Sequence, residues 1–205
     1  IIMCDNTTSA RVYNTHIIID KRGEIVCSYR KIHLFEVSIP SKQLRLKESE
    51  TTAPGSEIVV CKDSPLGTLG LSICYDLRFP EQYMELAKRG AQILLVPSAF
   101  TVPTGQAHWH TLLRARAIEN QCYVLAAAQY GVHNAKRTSY GHSIAIDPWG
   151  VVIADAGGID EPQTMPSNNP SSPPAIIICD IDLHQLSLIR ERMPIQLHRD
   201  QAKFT

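Results

Sequence analysis

Short apolar runs, punctuated by turn residues and by two amphipathic stretches, set the layout of this chain. Residues 14–20 (NTHIIID) and 24–29 flank Lys21-Arg22-Gly23 and predict a β-hairpin with a glycine turn. Residues 31–57 are mixed and polar and predict a long functional loop with little regular structure. Strands are predicted at 57–61 and 69–74. A helix is predicted over 80–88, with Pro80 in its first turn and Lys88, Arg89 and Gly90 at its end. The continuous apolar run AQILLVP that follows has the character of a strand covered on both faces. A second helix over 108–121 carries a broad stripe of Leu112, Leu113, Ala115, Ala117 and Ile118. Residues 122–128 predict another strand, and 142–147 with 150–154 a hairpin around Pro148-Trp149-Gly150. AIIICDID reads as a last strand and 183–190 as a last helix before an irregular tail. The stretch 157–174, rich in Pro, Ser and Asn, predicts a mobile surface insertion. The sum is one α/β domain over residues 1–205, with strands packed between helices.

Composition narrows the classes of function. Twenty acidic and twenty basic residues cancel, so no net field favours nucleic acid or a membrane surface. Aromatic content of 6% offers no stacking platform for single strands. The six cysteines (4, 27, 61, 74, 122 and 179) are dispersed and form no C-x-x-C pair, which reads as a reduced intracellular protein without a disulfide framework or a zinc site. A cytoplasmic location is expected, with the mitochondrion as the alternative, and neither a signal peptide nor a long apolar segment is visible. The opening IIMCDNTT lacks an initiator methionine, so a processed start or a missing N-terminal portion is expected.

The chemistry converges on GLSICYDLRFPEQYMELAKRG. Here an apolar run delivers Cys74 to a strand-to-helix turn, where a thiolate attacking a carbonyl finds backbone N–H donors for the oxyanion. The same position also suits a buried structural cysteine. An ordinary cysteine is mostly thiol at neutral pH, so a neighbour must lower its pKa or take its proton. Lys31 in YRKIHLF, just past the first hairpin, is one candidate, and Glu48 and Glu50 in LKESETTAPG are ordinary loop carboxylates unless the fold brings them in. His33 is a rival base. His108 and His110 flank Trp109, and rings two apart on a helix point to different faces, which argues against chelation by that pair. His142 in SYGHS is expected to pack beside its strand, and no G-x-S-x-G elbow, phosphate loop or dinucleotide fingerprint occurs.

Taken together, YRKIHLF, the KES…PG loop, GLSICYDLRFPE, PSAFTVPTG-A-HW, LLRARAIENQCYVLAAAQ and YGHSIAIDPWG resemble the nitrilase superfamily, in its Nit amidase branch. The resemblance implies an α-β-β-α sandwich, here lacking its first strand–helix elements, and a Glu-Lys-Cys triad that hydrolyses carbon–nitrogen bonds through a thioester. By motif matching Cys74 would be the nucleophile, Lys31 the triad lysine and Glu48 the second glutamate that positions it. Tyr75 would supply an oxyanion N–H, and Arg78, Phe100 and Thr101 would bind substrate, with residues 98–106 and Tyr140 at the mouth. Small carboxylate-bearing amides, deaminated glutathione among them, would be the substrates. No metal or organic cofactor is implied, and the partner would be a second copy of the chain in a homodimer. Arg114 and Arg116 are expected at solvent or subunit contacts. Two departures stand out: the triad glutamate has no match, Glu24 lying in a hairpin turn, and A-H-W-H replaces the usual A-H-W-E at His110. A catalytically incomplete protein used as an assembly surface is therefore the alternative.

Overall fold

The computed structural model describes residues 2–4, 11–39, 44–62, 64–160 and 176–202. β1 (Ile2–Cys4), β2 (Val12–Ile19) and β3 (Ile25–Arg30) pair antiparallel, β2 lying between the other two. Asp20 closes the β2–β3 turn, its carboxylate accepting from the N–H groups of Arg22 and Glu24, while Gly23 takes a φ of 84°. Within 31–57 the described residues are more ordered than their polarity predicts. β4 (Glu36–Ile39) and β5 (Leu44–Lys47) form a hairpin, and β6 (Thr52–Ala53) joins β2 in parallel. Each of these strands is four residues or fewer, too short for a period of two to emerge.

The second sheet supplies the scaffold of the molecule. β7 (Val60–Cys61), β8 (Leu69–Leu71), β9 (Ile93–Leu95), β10 (Tyr123–Ala126), β13 (Ile144–Ile146) and β14 (Val152–Asp155) lie in the order β14-β13-β10-β9-β8-β7. The central β8, β9 and β10 are parallel and the flanking strands antiparallel. Parallel neighbours need crossover connections, and α1 (Pro80–Lys88) and α2 (Val102–Asn120) provide them. Both helices cover one face of the sheet, where Leu86, Leu94, Trp109, Leu113 and Val124 form the larger core. The other face meets the first sheet through Tyr29, Leu71, Ile93 and Tyr123, a second core closed by Leu186 of α3 (Leu183–Arg192). Helices, sheet and sheet thus stack as three layers among the described residues.

α2 starts six residues earlier than its apolar stripe suggests, at a V-P-T-G turn with proline in first-turn position. Gly105 belongs to that extension, and a Cβ there would overlap the Tyr140 ring. The hairpin of β11 (Tyr130–Asn134) and β12 (Arg137–Tyr140) has no counterpart among the expected strands, its polar, charged residues carrying little apolar signal. Among the described residues, 176–182 pair with no strand, contrary to expectation, and Ile176 and Ile178 are exposed. Asp182 caps α3, accepting from the N–H groups of His184 and Gln185 at 2.8 and 2.9 Å. The tail carries a further helix, α4 (Ile195–Gln201). Of the stretch 157–174, residues 161–174 lie outside the described residues. Its first residues are packed, with Gly157 C=O accepting from His142 N–H at 2.8 Å and Ile159 N–H donating to Tyr140 C=O at 3.0 Å.

Candidate active site

Cys74 opens a five-residue 3-10 turn, Cys74–Arg78, between β8 and α1. Its φ of 48° is left-handed, a conformation that strains a residue bearing a Cβ by about 1–3 kcal/mol and persists only when neighbours fix it. Three sets of contacts do so. Cys74 N–H donates to Pro97 C=O at 3.0 Å, tying the turn to the end of β9. Asp76, fully buried, accepts from Tyr29 Oη at 2.7 Å, Ile73 N–H at 2.9 Å and His33 N–H at 3.0 Å. Arg116 donates from Nε and Nη2 to Leu77 C=O at 3.1 and 2.7 Å. Arg116 is therefore a buried support of the turn, not the solvent or subunit contact expected of it; Arg114 is exposed and donates Nε to Gly150 C=O at 2.8 Å.

The Asp76 carboxylate is what brings YRKIH to the cysteine. With Tyr29 and His33 fixed upon it, Lys31 between them is 3% exposed and donates Nζ to Glu48 Oε2 at 2.5 Å. The same oxygen accepts from Phe35 N–H at 2.7 Å. His33 is not among the residues that line the cleft beside Cys74; its Nδ1 lies 2.9 Å from Asp76 and its ring stacks on Phe79 with centroids 3.6 Å apart. Glu24, the only glutamate upstream of Lys31, pairs with Arg22 on the exposed hairpin. Glu50 is exposed.

Lys31, Glu48, Cys74, Tyr75, Arg78, Phe100 and Thr101 all line one cleft of about 1620 Å³, broader than a small ligand needs. Tyr75 stands edge-on to Phe35 and Phe79, and Phe100 leans on Trp109 with centroids 4.8 Å apart. The Arg78 guanidinium passes 5.6 Å from the Phe100 centroid and 3.3 Å from His108 Nδ1. It does not pair with Asp76, whose oxygens are taken. Tyr140 is absent from the mouth: it is buried behind Gly105, with its hydroxyl donating to Asp160 at 2.9 Å. His16, unremarked in the sequence, also lines the cleft, its Nδ1 3.1 Å from Ser72 C=O, and burial holds its pKa below the usual histidine value.

Burial pushes the Cys74 thiol above the ordinary cysteine range. The Lys31 charge pulls it down, as the sequence suggests, while Glu48 and Asp76 push it further up. The desolvation of the sulfur outweighs the lysine, so the resting group is a thiol.

A profile for carbon-nitrogen hydrolases matches residues 1–191. The chain belongs to the carbon-nitrogen hydrolase family. Among members of this family, the deaminated glutathione amidase of Dictyostelium discoideum is 56% identical over 188 residues, 92% of this chain and 60% of the relative. The crystal structure of the Caenorhabditis elegans NitFhit protein superposes with a TM-score of 0.81 at 48% identity, covering 98% of this chain and 46% of that one. A mutant amidase from Nesterenkonia sp. AN1, with the acetamide moiety of fluoroacetamide added covalently at its active-site cysteine, superposes with a TM-score of 0.61 at 30% identity over 73% of this chain and 52% of its own. The chain thus spans between about half and three-fifths of the length of these carbon-nitrogen hydrolases. These matches confirm the nitrilase-type fold and the Nit branch read from the motifs.

Proposed function

We propose that this chain carries the nucleophilic site of a cysteine-dependent amidase acting on small carboxylate-bearing amides, deaminated glutathione among them. The observation that carries the reading is a strained cysteine facing the same cleft as a buried, carboxylate-held lysine. Cys74 Sγ adds to the amide carbonyl, and the thiol proton passes through water in the cleft to the amide nitrogen. The resulting oxyanion is met by the Tyr75 backbone N–H and the Lys31 ammonium. The C–N bond breaks, the nitrogen departs protonated, and water hydrolyses the thioester to release a carboxylate and the thiol. Glu48 keeps Lys31 Nζ in place through the pair described above. Names and chemistry of the relatives support this reading: one is a deaminated glutathione amidase, and another carries an acetamide moiety on its active-site cysteine. Cys74 is the one cysteine among the described residues that lines the cleft.

Chloroacetamide followed by intact-mass measurement tests the site. A single adduct that disappears in Cys74→Ala is the expected result; equal labelling of that variant would reject the nucleophile. The second reading, an assembly module without turnover, is favoured by one observation: Glu48 is the only carboxylate among the described residues that lines the cleft, and its oxygen is already engaged. Ammonia or amine release from deaminated glutathione separates the two. Adduct formation without turnover supports the assembly module. The proposal includes a cytoplasmic homodimer, and a monomer mass in sedimentation equilibrium would remove the dimer from it.

A further inference from the structure

Outside the cleft, side chains from α2, the turn after β12, the end of β14 and the turn at 157–160 converge on one ring. His142 is 3% exposed, and it sits in the left-handed region with a φ of 59°. Its Nδ1 lies 2.9 and 3.1 Å from the two oxygens of Asp155, and its Nε2 lies 2.9 Å from Asp160 Oδ1. His110 reaches the same Asp155 from α2, Nε2 to Oδ2 at 2.9 Å. The two imidazoles stand edge to face with centroids 4.7 Å apart, and one donor atom each of His110, His142 and Asp155 falls within 4.8 Å of the others.

Two imidazoles and a carboxylate form a donor set suited to zinc-class ions. Donors around a tetrahedral ion of this class, bound at about 2.0 Å, stand about 3.3 Å from one another. The present separations of Asp155 from both rings are slightly shorter, so a small outward shift admits the ion between them. The surrounding groups already have the arrangement of an outer shell. Asp160 is placed to take the Nε2–H of His142, and the Nδ1 proton that points to Asp155 in the ion-free ring is the one a bound ion displaces; Tyr140 Oη donates to Asp160 Oδ2 at 2.9 Å. Gly157 N–H donates to Asp155 Oδ1 at 2.8 Å, leaving Oδ2 to face His110. The side chains of His110 and Asp155 are 34% and 26% exposed, enough for an ion to enter and for water to complete its coordination.

We propose that His110 Nε2, His142 Nδ1 and Asp155 Oδ2 bind one divalent transition-metal ion of the zinc class, with Asp160 as the outer carboxylate. His110 is the residue at which the chain departs from A-H-W-E, and it supplies the ligand that reaches across from α2. The bound ion ties that helix to the end of β14 and to the turn at 157–160, and touches none of the residues assigned to amide chemistry.

Cobalt(II) is the probe, because its visible bands report tetrahedral coordination and its near-ultraviolet bands report thiolate ligands. The full chain should retain one cobalt after gel filtration, with visible bands, no thiolate bands, and displacement by zinc. His110→Ala, on a partly exposed helix position, should abolish retention, and Asp160→Asn should weaken it about 10–100-fold without being a ligand. Zinc should raise the melting temperature of the unmodified chain and not that of His110→Ala. Absence of retained metal would overturn the site and leave a hydrogen-bonded clasp only. So would unchanged retention in His110→Ala, or bands showing that the ion sits on cysteine.

Discussion

At Cys74, solvent and charge pull in opposite directions. Burial favours the neutral thiol and Lys31 favours the thiolate, and burial prevails. The thiolate is the reacting form, so the rate of chloroacetamide alkylation should climb about tenfold per pH unit and level off only above the ordinary cysteine range. Lys31→Met removes the charge that pulls the thiol down, moves that profile to higher pH and slows alkylation at neutral pH. A profile that does not move would mean the lysine is electrostatically uncoupled from the sulfur. Arg78 bears on specificity in the same cleft. Its guanidinium faces the Phe100 ring and the His108 imidazole, no carboxylate among the described residues pairs with it, and a substrate carboxylate would complete it. A charge-assisted hydrogen bond contributes about 1.5–3 kcal/mol. Arg78→Met in a Cys74→Ala background should therefore weaken binding of deaminated glutathione at least tenfold and leave a neutral amide of similar size unaffected. Calorimetric titration of both ligands checks this.

The element that matters most to the site is the 3-10 turn, and its supports come from far along the chain. Tyr29 lies 47 residues before Asp76, and Arg116 lies 39 residues after Leu77. Tyr29 Oη is also a junction, accepting from Gln82 Nε2 at 2.9 Å and from Ile32 N–H at 3.1 Å. Tyr29→Phe strips one donor from a fully buried carboxylate and the shared acceptor from the buried Gln82 amide and the half-buried Ile32 N–H. The expected loss is about 1–3 kcal/mol in urea denaturation, with slower alkylation of Cys74 as the turn loosens. These long-range supports also mark where the sequence stopped being informative. Local signals were enough for α1, whose proline start and glycine end bracket it, and for the β2–β3 hairpin with its Gly23 turn. They also placed Cys74, because a strand-to-helix turn is a local feature. Lys31 and Glu48 came from motif resemblance, their pairing being a tertiary fact. Asp76 reads as an ordinary turn aspartate until its partners 43 and 47 residues away are in place. His142 reads in the sequence as a residue that packs beside its strand, since nothing local announces that Asp155 and Asp160 close on it from both sides.

Over the whole molecule, α3 is the piece that seals the edge of the two cores. Leu186 enters the core between the sheets, while Arg190 reaches the junction of α2 and β10. There its guanidinium donates to Gln121 C=O at 3.0 Å and Ala91 C=O at 2.8 Å, and lies 3.2 Å from Cys122 Sγ. Cys122 is fully buried, and desolvation raises its pKa from 9.0 to about 11 despite the neighbouring arginine. In the unfolded chain the thiol ionises near its ordinary value, so between pH 9.0 and about 11 the unfolded state sheds a proton that the folded state keeps. The stability this thiol contributes is whole below pH 9.0 and declines as pH rises toward about 11. At about 1.4 kcal/mol per pKa unit, the decline approaches about 3 kcal/mol. The buried hydroxyls of Tyr29 and Tyr83, both raised by burial, add losses of the same sign at higher pH, so the diagnostic is a difference between proteins. Cys122→Ala will lower stability at every pH through the lost sulfur contacts, but its stability should fall less steeply than that of the unmodified chain over this interval. Urea titrations at about pH 8, 9 and 10 read the two slopes. Identical slopes would show that water reaches Cys122, and hence that α3 does not seal this end of the sheet.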